Sequence, residues 1–238
     1  MNLLLLDPKD FISETDVQLV GRRLKHMLEV QHITVGDSLR CGLLDKQRGV
    51  AKVLELDTNR ALLRVELNKP APLPLPLILV MALPRPKMLK RILQTSATLG
   101  IKQIFLINTY RVDKSYWSTP ILQPPQITEY LRLGLEQAGD TLMPQVHLRK
   151  RFKPFVEDEL PALVAGRRAL IAHPYDAAPC PAPSSEPTLV AVGPEGGFIP
   201  YEVALMQTQG LTPFHLGERI LRVETAVPVI ASRLFPLI

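Results

Sequence analysis

Leu189, Val190, Ala191 and Val192 run straight into Gly193, Pro194, Glu195, Gly196 and Gly197. The four apolar residues read as a short buried strand. A helical pattern starts at Pro200, with Glu202 in its first turn and Gly210 at its stop. The glycine loop therefore joins a strand end to a helix start, which is where open α/β sheets bind ligands. It lacks the Lys-Ser/Thr ending of a P-loop and the glycine spacing of dinucleotide folds. Its carboxylate, Glu195, would repel a phosphate, so a neutral or cationic ligand suits it better. A plain tight turn is the alternative reading of the same glycines.

A second stretch, residues 216–226, repeats this order of strand end, glycine, loop and helix. Arg219 and Arg222 lie on its loop, and Glu224 and Thr225 stand where a helix begins and exposed amides need caps. The plainer reading is a capped helix with a surface pair of arginines. Two glycine loops at adjacent strand ends favour a shared pocket over either loop alone.

Taken as a pair, 193–197 and 216–226 closely resemble the motifs of RsmE-type ribosomal RNA uridine-N3 methyltransferases of the SPOUT superfamily. The resemblance covers the whole chain and includes a weaker match at Gly134 to Gly139. It implies a PUA-like β-barrel domain at residues 1–70 that binds RNA, followed by a SPOUT methyltransferase domain at 71–238. That second domain is an α/β fold, a parallel sheet flanked by helices, whose last part is tucked into a trefoil knot. The knot is implied by the resemblance alone, since knots are rare.

S-adenosylmethionine is the cofactor that the family implies. It would be held by Gly193, Pro194, Glu195, Gly196 and Gly197, and by Leu216, Gly217, Ile220, Leu221, Arg222, Glu224, Thr225 and Ala226. Ala172, His173 and Pro174 match the remaining cofactor loop. The sulfonium cation makes Glu195 tolerable there. The implied reaction is methylation at N3 of a uridine, uridine 1498, in 16S RNA of the small ribosomal subunit. Arg222 is the candidate for stabilising charge on the ring, and Glu195 a candidate base or orienting acceptor. The RNA side is expected at Arg22, Arg23, Lys25, Arg85, Lys87, Arg111 and Lys114. The family also implies a homodimer with active sites at the subunit interface.

The 238 residues carry a net charge of +5, unevenly spread. Residues 85–114 hold seven basic residues against the single acid Asp113, and 149–153 adds four more. Such clusters suit a polyanion, although a solvated basic face has the same signature. Cys41 and Cys180, the only cysteines, are far apart and fit a reducing cytoplasm. The five histidines have no metal-ligand spacing, so no metal site is expected. No apolar run reaches membrane-spanning length, and no membrane association is expected.

The proline-rich residues 70–76 read as an extended linker. Before them, 38–44, 48–56 and 60–67 are β-like, and a helix is expected over 16–30 from the spacing of Val17, Val20, Leu24, Met27 and Leu28. After them, strands are expected at 77–82, 101–108, 168–172, 189–192 and 212–216. Helices are expected at 87–99, 126–138, from 200 and from about Glu224. This alternation argues for a mostly parallel sheet. The apolar last helix and the end 236–238 are either core or a dimer contact.

The chain departs from the family at four places. Thr95 and Thr98 replace a Lys and a Glu, Asp140 stands where an arginine is usual, and Glu29 replaces an arginine. Each change removes or reverses a polar group that could face RNA. A diverged paralogue acting on another RNA therefore remains open, as does an RNA-binding protein that keeps the cofactor pocket without transfer. A nucleotide-dependent oxidoreductase is disfavoured, because no dinucleotide fingerprint occurs.

Overall fold

The computed structural model describes residues 2–236, so Leu237 and Ile238 of the apolar end lie outside the described residues. The chain divides into two compact units. One comprises the chain up to Leu73 together with Arg132–Met143; the other comprises Pro74–Leu131 and the chain from Pro144 onward.

The first unit is built on a five-stranded sheet: β1 (Leu4–Leu6), β3 (Ser38–Leu43), β4 (Arg48–Leu56), β5 (Ala61–Lys69) and β2 (Asp16–Leu19), in that spatial order. β1 runs parallel to β3, and the other pairs are antiparallel. Alternation along β4 buries Gly49, Ala51 and Val53 while Val50 and Lys52 face water. At Gly49 a Cβ would lie 1.7 Å from the Glu66 carbonyl oxygen, so only glycine fits this strand crossing.

The helix expected over 16–30 is only half present. Asp16–Leu19 is β2, and the helix α1 spans Gly21–Glu29. Val17 and Leu19 lie two residues apart and both are buried by pairing with β5. The helical spacing from Val17 through Val20 to Leu24 is a coincidence of two adjoining patterns. Gly21, at φ 67°, makes the turn between them.

Three arginines are held by acids of this unit. Arg23 donates to Asp10 at 2.6 and 2.7 Å and to the Leu5 carbonyl at 2.9 Å. Arg132 bonds both oxygens of Asp7, at 2.8 and 3.0 Å. Arg22 meets Glu136 at 2.8 and 3.2 Å, and the Glu136 side chain is 3% exposed. Burial alone would raise the Asp10 carboxyl; hydrogen bonds from Arg23 and from the Asp7 amide, with nearby positive charge, bring it below its usual range.

The second unit holds a seven-stranded, wholly parallel sheet in the order β10 (Ala178–Pro179), β12 (Thr212–His215), β9 (Arg168–Ala172), β11 (Thr188–Val192), β6 (Leu75–Ala82), β7 (Ile101–Ile107) and β8 (Gln145–Arg149). The expected α/β architecture is therefore present. β11 lies between β9 and β6, and all five of its residues are buried, which explains its unbroken apolar run. Helices α2 (Pro86–Thr98) and α7 (Val223–Leu234) pack against each other. α4 (Phe152–Pro154), α5 (Leu160–Val164) and α6 (Pro200–Thr208) also belong to this unit, whereas α3 (Pro124–Ala138) begins in it and ends, from Arg132, in the first. Of the last helix, Val227, Ile230, Ala231 and Leu234 are buried in this unit.

Register sets the site. Val192 pairs with both Met81 and Ala172, and Phe214 pairs with Ala172. The carboxyl ends of β9, β11 and β12 therefore emerge side by side, and the loop after each strand starts from one edge.

Candidate active site

Those three loops enclose a cavity of about 560 Å³. Ala172, His173 and Pro174 line it after β9; Gly193, Pro194, Glu195, Gly196 and Gly197 after β11; Leu216, Gly217, Ile220, Leu221, Arg222 and Ala226 after β12. Glu224 and Thr225 are not on its wall; they lie in the first turn of α7, where the Thr225 amide bonds the Arg222 carbonyl at 2.9 Å. Arg219 of the second loop lines the cavity too, as does Arg111, expected only at RNA; Tyr175, Asp176, Phe198 and His215 join the wall without a motif to announce them.

The glycines have separate reasons. Gly197 and Gly217 have φ of 74° and 113°, where a side chain is strained. At Gly193 a Cβ would come within 3.1 Å of the Phe198 amide nitrogen, so the loop folds tightly on itself. The Gly197 amide closes that turn on the Pro194 carbonyl at 2.8 Å. Arg111 donates to the Gly196 carbonyl and so braces the loop from the segment after β7. The Tyr110 amide bonds Glu202 at 2.7 Å, and the Ile199 amide bonds the same carboxylate at 3.0 Å. Glu202 is 2% exposed, so one buried carboxylate caps α6 and anchors the Arg111 segment.

His173 presents a buried Nδ1 with no hydrogen-bond partner among the described residues. Burial lowers the pKa of this imidazole, and the charge of Asp176 partly opposes that. A neutral ring with an unsatisfied nitrogen on a cavity wall suits a ligand that supplies the missing hydrogen bond. Glu195 is otherwise engaged. Its Oε1 accepts from the Arg85 amide at 3.2 Å and lies 3.9 Å from the Arg85 Nε, so it ties the glycine loop to the start of α2. The guanidinium groups of Arg219 and Arg222 have no partner among the described residues, and both residues are exposed.

The residues expected to meet RNA divide. Arg111 belongs to the cavity, and Lys87 and Lys114 are exposed. Lys25 is exposed and 3.8 Å from Glu29, one turn on. Arg22 and Arg23 bond Glu136 and Asp10, as described above, with the Arg22 side chain 47% exposed and that of Arg23 14%. The departures divide too. Asp140 is 3% exposed and its carboxylate accepts the Leu142 amide at 2.9 Å, so it shapes a turn within the first unit. Thr98 bonds back to the Gln94 carbonyl at 2.9 Å. In the second basic cluster, Arg149 is held by Glu159 at 2.7 Å and Lys153 lies 3.6 Å from Glu157.

A parallel sheet with a glycine-walled cavity at the carboxyl ends of three strands defines a ligand-binding α/β protein. Its fold is shared by a ribosomal RNA small subunit methyltransferase E of Neisseria gonorrhoeae solved bound to S-adenosyl methionine. That structure is 22% identical, with a TM-score of 0.73, and the match covers 98% of this chain and 96% of that one. The ribosomal RNA small subunit methyltransferase E of Treponema pallidum is 28% identical over 233 residues, 95% of this chain and 87% of the relative. The methyltransferase E 1 of Borreliella burgdorferi is 22% identical over 229 residues, 95% and 94% of the two chains. The family model described as RNA methyltransferase domain matches residues 71–235, and the chain belongs to that family, in its RsmE-type branch.

Proposed function

We propose that this protein transfers a methyl group from S-adenosylmethionine to N3 of a uridine in small-subunit ribosomal RNA, the position numbered 1498. The observation that carries this reading is the cavity where both glycine loops converge with the 172–174 loop beside the unpartnered His173 Nδ1. The fit to the cofactor rests on two features of that wall. A tight glycine turn leaves backbone amides and carbonyls open to an adenosine, and the buried nitrogen lacks a hydrogen bond.

S-adenosylmethionine supplies an activated methyl carbon, so the protein mainly aligns the reactants. N3 would lose its proton to solvent water at the open cavity mouth and take the methyl carbon, the electron pair of the carbon–sulfur bond passing to sulfur. Arg222, unpaired at the cavity rim, stabilises the negative charge that develops on the ring. Glu195 acts as an orienting acceptor, because its carboxylate is held at the head of α2 by Arg85.

On this reading the RNA backbone meets Arg85, Lys87, Arg111 and Lys114, and the first unit, as a PUA-like barrel, docks the folded RNA. The trefoil knot is supported by the Leu234 carbonyl at the end of α7. It accepts the Ser184 amide at 2.9 Å and Arg168 at 3.3 Å, so the connection from β9 to β11 lies against the last helix. A homodimer and a cytoplasmic setting belong to the same proposal.

The test is transfer from labelled S-adenosylmethionine to undermodified small ribosomal subunits, with the product nucleoside identified by mass spectrometry. N3-methyluridine is the expected product. Cofactor binding without transfer to these subunits would overturn the reading.

A further inference from the structure

Three aromatic residues of the described chain are exposed, and each lies on or directly beside a stretch that lines the cavity. Tyr175 lines the cavity and is 61% exposed. Tyr110, 80% exposed, precedes the lining residue Arg111, and Tyr201, 54% exposed, follows the lining residue Pro200. Tyr116, Tyr130, Trp117 and all the phenylalanines are buried or half-buried. Rings scattered singly over a surface need no account, but three carried by the segments that build one cavity wall point to an interaction site.

The backbone under two of them is fixed. Tyr110 donates its amide to one oxygen of Glu202, and Ile199, two residues before Tyr201, donates to the other. Both tyrosines are thus set by a single buried carboxylate. Tyr175 meets His173 edge-on, with ring centroids 5.9 Å apart. Arg111, Arg219 and Arg222 are exposed residues of the cavity wall and Lys114 is exposed three residues after Arg111, with the exposed acids Asp113, Asp176 and Glu218 on the same segments. Asp113 is occupied in capping the Ser115 amide at 2.8 Å. Flat apolar faces between guanidinium groups match a chain of bases joined by phosphates.

We infer that Tyr110 and Tyr201 form a stacking surface for unpaired bases flanking the reacting uridine, with Tyr175 as the ring at the cavity itself. This rests on the RNA methyltransferase reading above. Bases stack on the rings while the phosphates meet the neighbouring cations, so the surface holds single-stranded RNA with little regard to sequence.

Stacking separates from charge if the bases are removed and the phosphates kept. Oligouridine and an abasic RNA of equal length are titrated by fluorescence anisotropy against the full chain, Tyr110→Ala/Tyr201→Ala and Tyr110→Phe/Tyr201→Phe. S-adenosylmethionine affinity is measured by calorimetry and mass by light scattering. The wild type is expected to prefer oligouridine. The alanine pair loses about tenfold or more of that preference, with abasic binding, cofactor affinity and mass unchanged. The phenylalanine pair keeps it. An alanine pair with full preference overturns the surface. A fall in cofactor affinity assigns the rings to the cofactor instead, and a change in mass assigns them to a second copy of the chain; both overturn it as well. A wild type that binds S-adenosylmethionine but neither RNA removes the RNA reading, and this surface with it.

Discussion

In the first unit Arg23 and Arg132 are 14% and 13% exposed, and each is clasped by an aspartate at 2.6 to 2.8 Å. In the second unit Arg219 and Arg222 stand in solvent at a cavity rim with no partner among the described residues. The residue type is the same and the use is opposite. A paired, buried guanidinium holds a fold together, because separating it strands a charge. An open one beside a cavity is available to a ligand. A run of positive charge in a sequence therefore does not separate the two; the acid that each arginine meets does.

The largest effect expected from this contrast is on stability. Arg23→Ala leaves the Asp10 carboxylate, 6% exposed, without its cation, and should cost about 3–5 kcal/mol in urea unfolding. Cofactor affinity of the folded fraction should not change. Because the folded Asp10 pKa lies below its ordinary 3.8, the pair's contribution is present above that pH and is lost as pH falls through the lowered value. Arg23→Ala should lack this acid dependence. A variant as stable as the wild type would erase the distinction between the two kinds of arginine.

Arg222→Ala should do the reverse. Methyl transfer falls about 10²- to 10³-fold, while the urea midpoint and S-adenosylmethionine affinity stay near wild type. Equal turnover by the variant would sink the assignment. The smallest expected effect concerns His173. Burial holds its pKa below 6.5, so the folded state binds fewer protons than the unfolded chain as pH falls from 6.5 toward the lowered value. Stability should decline through that window and be flat above it. In His173→Gln the decline in the urea midpoints measured across it should be shallower, with the remainder due to His26 and His147, whose pKa values burial also lowers.

The second unit was largely legible in the sequence. β6, β7, β9 and β11 each carry an unbroken apolar run of four or more residues, and Gly100, Gly139 and Gly210 mark helix ends. β8 was missed because the edge strand Gln145–Arg149 is short and half-buried, with only Val146 and Leu148 apolar between three polar residues. β1, with three residues, is too short to show a period, and β2 borrowed the spacing of the helix behind it. The glycine loops announced the site because their constraint is local, in the turn itself. Arg111 and Glu202 did not, because their contacts with Gly196 and Tyr110 span 85 and 92 residues. The rim tyrosines were equally hidden, since exposure is a property of the fold.

The segment Arg132–Met143 completes the first unit from the middle of the chain. A gene recombining once near codon 73 would pass on Asp7 without Arg132, and Arg22 without Glu136. The progeny would carry stranded charges on both sides of the crossover. Only paired breakpoints that also moved the codons for 132–143 would keep these partners together. The two units are thus bound to descend as one heritable block, and a relative with either unit exchanged should have exchanged that segment too.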